Sequence, residues 1–579
     1  MKVKSKKLVF AISAMVFVAA IIVLAVIQKV RTDFLYNSNQ VGDKIIQPSS
    51  RKISTIIVPH FDNFKTERQK FLDSLSSQNP QKIIIASVNH FNAGEGDIIT
   101  TDEKWDFSGG APAINNELFD ALIQKQTAAA DDTAFENEHG IKKVYPEIFG
   151  LFPKAKYLPI IVRDKTPKEK IDNLANELYK NCPDCLLVAS IDFSHYNPDS
   201  LAQIHDEMSL AALNDLDEEK AWKAETDSPQ ILTLAIQWAK KQNTKKFNLN
   251  FHLNSGQQSN SSDLETTSVI IGSHSSGEPE KTGKSTTFVF AGDGMFDRLV
   301  YHNFKSAGLD DIFKKFSNRV FWGVDLSMVN LEGPISDSAI TDDITSDNLI
   351  FNFPSETAKM LKNIKINAVS LANNHTSNAG VGGFETTKKI LDQNSIKYAG
   401  TLSSIGNESV LKINGEIPIS VIAVNVLSSI GDLKTQIADE KAQGRFVIIY
   451  PHWGSEYKTT HSSAQSSLAH AWIDSGADMI IGSHPHVVQD VEIYKGKPIV
   501  YSLGNFVFDQ IFSRETQQGL ILAGVIRDKS LDLTFLPTKQ VNLRPQLTQS
   551  GEKSTVVNNL LQGASEAEKI RSDTIRLSR

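Results

Sequence analysis

The chain has 579 residues, a formal net charge of −7, 40% hydrophobic and 22% charged residues, and two cysteines. Its length supports two or more globular domains. The mild acidity excludes the basic footprint of a nucleic-acid-binding protein, and two cysteines exclude a disulfide scaffold.

Residues 1–31 read as a cytoplasmic start followed by a membrane anchor. Lys2, Lys4, Lys6 and Lys7 precede an uncharged apolar run over 8–27, and Gln28, Lys29 and Arg31 follow it. Twenty apolar residues are enough for one bilayer-spanning helix, and the leading lysines orient it with the bulk of the chain outside. No small-residue cleavage motif closes the run, which predicts an uncleaved signal anchor and a single-pass cell-membrane protein. Residues 32–50 read as a polar tether.

Residues 51–273 predict an α/β domain. Apolar strands over 53–60, 82–90 and 186–195 each end at a histidine: His60, His90 and His195. Helical stretches at 66–77 and 171–181 fall between them. This alternation predicts a mainly parallel sheet, with the three histidines gathered along one sheet edge. Cys182 and Cys185 form a single C-x-x-C; no second pair completes a zinc site, and a local disulfide is the open alternative.

The motifs Pro59-His60, Asn89-His90, Glu138-His139-Gly140-Ile141 and Asp192-Phe193-Ser194-His195-Tyr196, with Asn254-Ser255-Gly256, resemble the Memo-like family, also called AmmeMemoRadiSam system protein B. The resemblance implies a fold similar to class III extradiol dioxygenases and a second site lined by His60, His90, His195 and Asp192. Two positions depart from the family pattern. Lys142 stands where a glutamate is usual, and the stretch 225–229 lacks the usual cysteine.

Residues 274–285, rich in Ser, Gly, Glu and Lys, read as a linker between separable domains. Gly283-Lys284-Ser285 is no P-loop, because Glu278 stands where that motif needs glycine.

Residues 286–579 predict a second α/β domain in which six apolar runs end in groups able to bind metal or carry protons. These lead into Gly292-Asp293, Asn330-Leu331-Glu332, Asn373-Asn374-His375, His452-Trp453-Gly454, Gly482-Ser483-His484-Pro485-His486 and Gly504-Asn505-Phe506. Carboxylate, amide oxygen and imidazole together suit Mn, Zn or Fe. An extended backbone would aim both imidazoles of His484-Pro485-His486 to one side, and Pro485 biases His484 towards that geometry.

These motifs, with His452-Trp453-Gly454-Ser455-Glu456-Tyr457 and Tyr501-Ser502-Leu503-Gly504-Asn505-Phe506, resemble the CapA family of capsule and poly-γ-glutamate synthesis proteins. The resemblance implies a metallophosphoesterase-type α/β sandwich. In it Asp293, Glu332, Asn374, His452, His484 and His486 would hold one or two divalent cations, bridged by Glu332. His375 would be the catalytic acid; Asn378 stands where the family often has an aspartate beside that histidine. The implied role is synthesis or export of an anionic polymer at the cell membrane, in company with membrane synthase subunits. The alternatives are a metal-dependent phosphoesterase and a non-catalytic polymer-binding subunit.

Overall fold

The computed structural model describes residues 52–579, apart from 108, 260, 262–264, 280–282, 317–318, 337–343, 346–347, 403–405, 429–430 and 565–566. They form a mixed α/β protein built on three sheets. One expectation is corrected here. Among the described residues no helix is long and apolar enough to cross a membrane. The expected span over 8–27 lies outside the described residues, and the structure does not bear out the expected transmembrane helix or single-pass membrane location.

The first sheet has a parallel centre. Strands Lys156–Val162, Lys82–Val88, Leu186–Ser190 and Ile53–Val58 lie side by side in that order. These runs are buried on both faces, which is why they read as continuous apolar segments rather than alternating ones. One face of Ile53–Val58 contributes Ile57 to a core with helices Lys168–Asn181 and Pro229–Lys241. The other contributes Ile56 and Val58 to a core with Phe71 and Leu72 of helix Lys65–Ser74. The expected strand over 186–195 is interrupted. It stops at Ser190, turns at Asp192, and a new strand, Phe193–Asn197, pairs antiparallel with Thr266–Ser275 at the sheet edge. His195 therefore rides on a different strand from the one predicted to carry it.

The other two sheets stack face to face. Phe288 and Phe290 of strand Ser285–Gly294 point into the core between them, where they meet Val421 and Ile448 of the six-stranded sheet. The alternate residues Val289 and Ala291 point outwards to a second core with Val300 and Phe304 of helix Arg298–Phe304 and with Leu361. On the far side of the six-stranded sheet, Val447, Ile449 and Ile480 pack under Ile437 and Trp472 of two covering helices. This is a period of two, one strand serving two cores.

The N-terminal and C-terminal halves are not loosely tethered. Strand Thr266–Ser275 takes up the first positions of the expected linker, and the next strand begins at Ser285. Leu201 and Ile204, on helix Asp199–Asp215, belong to the same buried core as Val320 and Phe321 of the C-terminal half. Buried Glu225 receives Arg319 Nη1 at 2.5 Å, and the same nitrogen reaches the Thr226 carbonyl at 3.2 Å. His205 Nε2 lies 3.3 Å from the Val320 carbonyl. Gly323, at φ +58°, passes so close that a Cβ there would sit 2.9 Å from the Glu225 backbone nitrogen.

Candidate metal centre and a second histidine cluster

The carboxyl ends of the C-terminal strands converge. Strand Ser285–Gly294 pairs in parallel with Leu326–Leu331, setting Asp293 opposite Asn330, and with Asn505–Val507, setting Asp293 opposite Asn505. His452 closes strand Phe446–His452 and bridges to Ser483. Loops beyond parallel strand ends are where such sheets hold their sites, and here six loops meet. Close backbone approach makes this possible. A Cβ on Gly292 would lie 1.9 Å from the Gly504 carbonyl oxygen, and one on Gly482 would lie 2.0 Å from that of Tyr501.

Three groups of donor atoms form, each gathered within 4.8 Å: Asp293, Glu332 and His486; Glu332, His452 and His484; and Glu456, His484 and His486. Each group could hold a metal ion. Asn374 joins them through its Oδ1, 2.8 Å from His452 Nε2. Asn330 Nδ2 donates to Asp293 Oδ1 at 2.8 Å, and Asn373 Nδ2 to Asn330 Oδ1 at 3.1 Å, so amides fix the carboxylate from behind. His486 Nδ1 lies 3.0 Å from Asn505 Oδ1, which fixes its tautomer and leaves Nε2 facing Glu332 Oε1 at 3.5 Å.

The H-x-H segment is not extended. His484 has φ 96° and His486 φ 57°, both in the left-handed region that disfavours side chains. Strain of this kind is kept where the surroundings over-determine it, and here it turns both rings onto the cage. The rings converge by bending, not by strand alternation.

Burial governs the charges. It raises Asp293 to about 7, and with Asp293 beside it Glu332 lies well above the ordinary carboxylate range. Burial also holds the imidazoles neutral: His484 falls to about 4, His486 to about 3, and His452 lies well below its usual value. Among the described residues, Glu332 Oε1 and His484 Nδ1 are buried with no hydrogen-bond partner.

His375 sits at the cage wall. Its ring stacks on Phe351 at 4.2 Å between centroids, and Nδ1 lies 3.1 Å from Asn378 Oδ1. Asn378 thus partners the ring despite lacking a charge. Nε2 faces Glu332 Oε1 at 3.9 Å. Glu456 is the residue that motif reading quoted without giving it a role. Its signal was its place four residues after His452, on the loop that folds back over the histidines.

The N-terminal half carries a second cluster. His60, His90 and His139 bring ring nitrogens within 4.8 Å, as do His60, Asp192 and Asp227 with their donor atoms. His60 Nε2 lies 3.3 Å from Asp192 Oδ2 and 3.2 Å from Asp227 Oδ2, while Nδ1 meets Ser190 Oγ at 3.1 Å. His90 Nδ1 lies 2.6 Å from Glu138 Oε1, and its ring is 3.8 Å from that of His139. Burial opposes a charge on His60, but Asp192 and then Asp227 raise it to about 9. Burial pushes His139 down to about 4. His195 joins neither group: its backbone N–H donates to Glu225 Oε2 at 2.8 Å, and its Nδ1 is buried without a partner among the described residues. Asp227, Glu138 and His139 are the members the motifs did not assign. Asp227 comes from the stretch where the family's cysteine is missing. Lys142 turns away and donates to the Glu136 carbonyl. Cys182 and Cys185 are joined as a disulfide beyond helix Lys168–Asn181.

Two family models match the chain. Residues 287–510 match the family model described as bacterial capsule synthesis protein PGA_cap, and residues 32–269 match that of Memo-like protein. The chain is 27% identical to the PGA biosynthesis protein CapA of Bacillus subtilis over 303 residues, 48% of this chain and 79% of that protein. It is 28% identical to the capsule biosynthesis protein CapA of Bacillus anthracis over 312 residues, 49% of this chain and 75% of that protein. A MEMO1 family protein of Methanopyrus kandleri is 31% identical over 150 residues, 24% of this chain and 52% of that protein, so the match spans about half of that relative.

Proposed function

We propose that the C-terminal half is a divalent-metal centre acting in the synthesis or export of an anionic capsule polymer of the poly-γ-glutamate type, with other synthesis subunits as partners. The capsule relatives support the pathway class. The observation that carries the chemistry is a pair of buried atoms without hydrogen-bond partners among the described residues, Glu332 Oε1 and His484 Nδ1, on two residues of one group of three donors. A buried carboxylate oxygen and a buried imidazole nitrogen each cost free energy unless something binds them, and a cation suits both. Asp293, Glu332, Asn374, His452, His484 and His486 would hold it.

A bound cation would supply Lewis acidity at an ester, amide or phosphoryl oxygen. The chain's own groups do the rest. Asn505 aims His486 Nε2, and Asn330 aims the Asp293 carboxylate. Burial lowers His375, so its resting form is neutral. With Nδ1 directed at Asn378, Nε2 would take a proton from the attacking water and then return it to the leaving group. His375 thus acts as an acid only after acting as a base.

Purified full-length protein analysed for bound metal, then assayed on a γ-glutamyl polymer and on a generic phosphodiester, tests the reading. Bound Mn, Zn or Fe with metal-dependent action on the polymer supports it. Turnover of the phosphodiester alone reassigns the centre as a phosphoesterase. Bound metal with turnover of neither makes it a binding subunit, and a protein that takes up no metal refutes it.

A further inference from the structure

Glu456 differs from every other acid of the cage. Asp293 and Glu332 are fully buried, and Glu456 is exposed. Yet its carboxylate lies within 4.8 Å of ligand atoms on both His484 and His486. The loop that carries it is pinned outside the cage on either side. Gly454, at φ +89°, presses against the Gln465 side chain, where a Cβ would lie 2.7 Å from Nε2. Tyr457 N donates to the Pro485 carbonyl at 2.8 Å, which ties the loop to the H-x-H segment itself. Gln489 Nε2 donates to the Lys458 carbonyl at 2.8 Å, and His461 Nδ1 lies 2.8 Å from Asp490 Oδ2 with its ring stacked 3.8 Å over Tyr501. The backbone is fixed while the Glu456 carboxylate stands at the solvent side of the two histidines.

We propose that Glu456 is an exchangeable gate at the mouth of the metal centre: it occupies the substrate-facing position, and an anionic group of the substrate displaces it. The inference rests on the metal-centre reading above and adds the substrate's chemistry, a phosphate or carboxylate that competes with a side-chain carboxylate. The physical reason is the division of labour between burial and exposure. Buried Asp293 and Glu332 cannot swing into water, and their amide partners hold them. An exposed carboxylate can leave at little cost, because water solvates it once it has swung out. While in place it repels any other anion.

The test uses full-length protein loaded with Mn, wild type against Glu456→Gln, with inorganic phosphate as the probe and calorimetry as the readout. Glutamine keeps the shape and removes the competing charge. The expected result is unchanged metal content in the variant and phosphate binding about tenfold tighter, from loss of a like charge at contact distance. Unchanged or weaker phosphate binding with metal retained would overturn the gate. Loss of metal in the variant would overturn it too, by making Glu456 a resident ligand. Wild-type protein that takes up no Mn, Zn or Fe would instead remove the metal-centre reading on which the gate depends, so the two failures are told apart. A Glu456→Asp variant serves as control: it keeps the charge on a shorter arm, and phosphate affinity close to wild type is the expected result, whereas tightening equal to that of the glutamine variant would contradict a charge-based gate.

Discussion

The two histidine clusters use the same residue types and balance their charges in opposite ways. In the N-terminal cluster each acid has a basic neighbour: His60 lies between Asp192 and Asp227, and His90 against Glu138. Glu138 and Asp227 are held below the ordinary range, each by a histidine acting against its burial. In the C-terminal cluster the acids are raised and the imidazoles are held neutral. The first sets its acids against imidazoles; the second gathers raised acids and neutral imidazoles. Counting histidines and carboxylates cannot separate a metal centre from a salt-bridged joint. Their pairing can.

The comparison breaks first on metal. Replacing His484 and His486 together with alanine should abolish metal binding by the whole chain while far-UV circular dichroism stays native, because both lie on a loop beyond strand Met479–Ile481. Replacing His60 should leave metal content unchanged. It should cost stability instead, about 3–5 kcal/mol in chemical denaturation, since it strands two buried carboxylates. Metal lost with His60→Ala would make the N-terminal cluster a metal site as well.

A somewhat smaller effect is expected at the joint between the halves. Arg319→Ala leaves Glu225 buried without its guanidinium partner and should destabilise the full chain by about 2–4 kcal/mol. If the halves were independent units, only the C-terminal transition would move. The shared core at Leu201 and Ile204 predicts that unfolding of both shifts together, read by hydrogen exchange at residues 53–58 and 446–452.

Acidity gives the next contrast. His60 has its pKa raised from 6.5 to about 9, so the stability from its charged form is fully present below pH 6.5 and is lost as pH rises through about 9. Denaturation midpoints of the full chain should fall across that window, and a flat profile would contradict the ion-pair account. Asp293 must ionise to bind a cation, so metal affinity should rise as pH passes through about 7. The smallest effect belongs to Asn378→Asp. A charged partner for Nδ1 should raise the His375 pKa and move the acidic limb of any pH–rate profile upwards, with metal content unchanged.

Much of this was legible in the residues. Strand ends at Asp293, Glu332, His452 and His484 follow from apolar runs meeting glycine and polar groups, and the structure brings them together. His195 shows where such reading fails. An apolar run of ten residues looks like one strand, but Asp192 accepts the backbone N–H groups of His60 and Phe61 at 3.0 and 3.2 Å, and the chain breaks there. That is a tertiary contact no local pattern carries. The inter-half core was hidden for the same reason. Leu201 and Ile204 lie on a helix in a predicted first domain, and nothing in their spacing says that their partners are Val320 and Phe321. The left-handed turns at His484 and His486 were hidden too, since Pro485 argues locally for extension.

On the proposed reading the C-terminal cluster needs a cation and the N-terminal cluster does not. Metal analysis of purified full-length protein after exhaustive loading with Mn and desalting tests it most directly, comparing wild type with the His484→Ala/His486→Ala double variant and with His60→Ala. The account predicts one or two equivalents of metal in the wild type, none in the double variant and the wild-type content in His60→Ala. Metal retained by the double variant and lost from His60→Ala would contradict it.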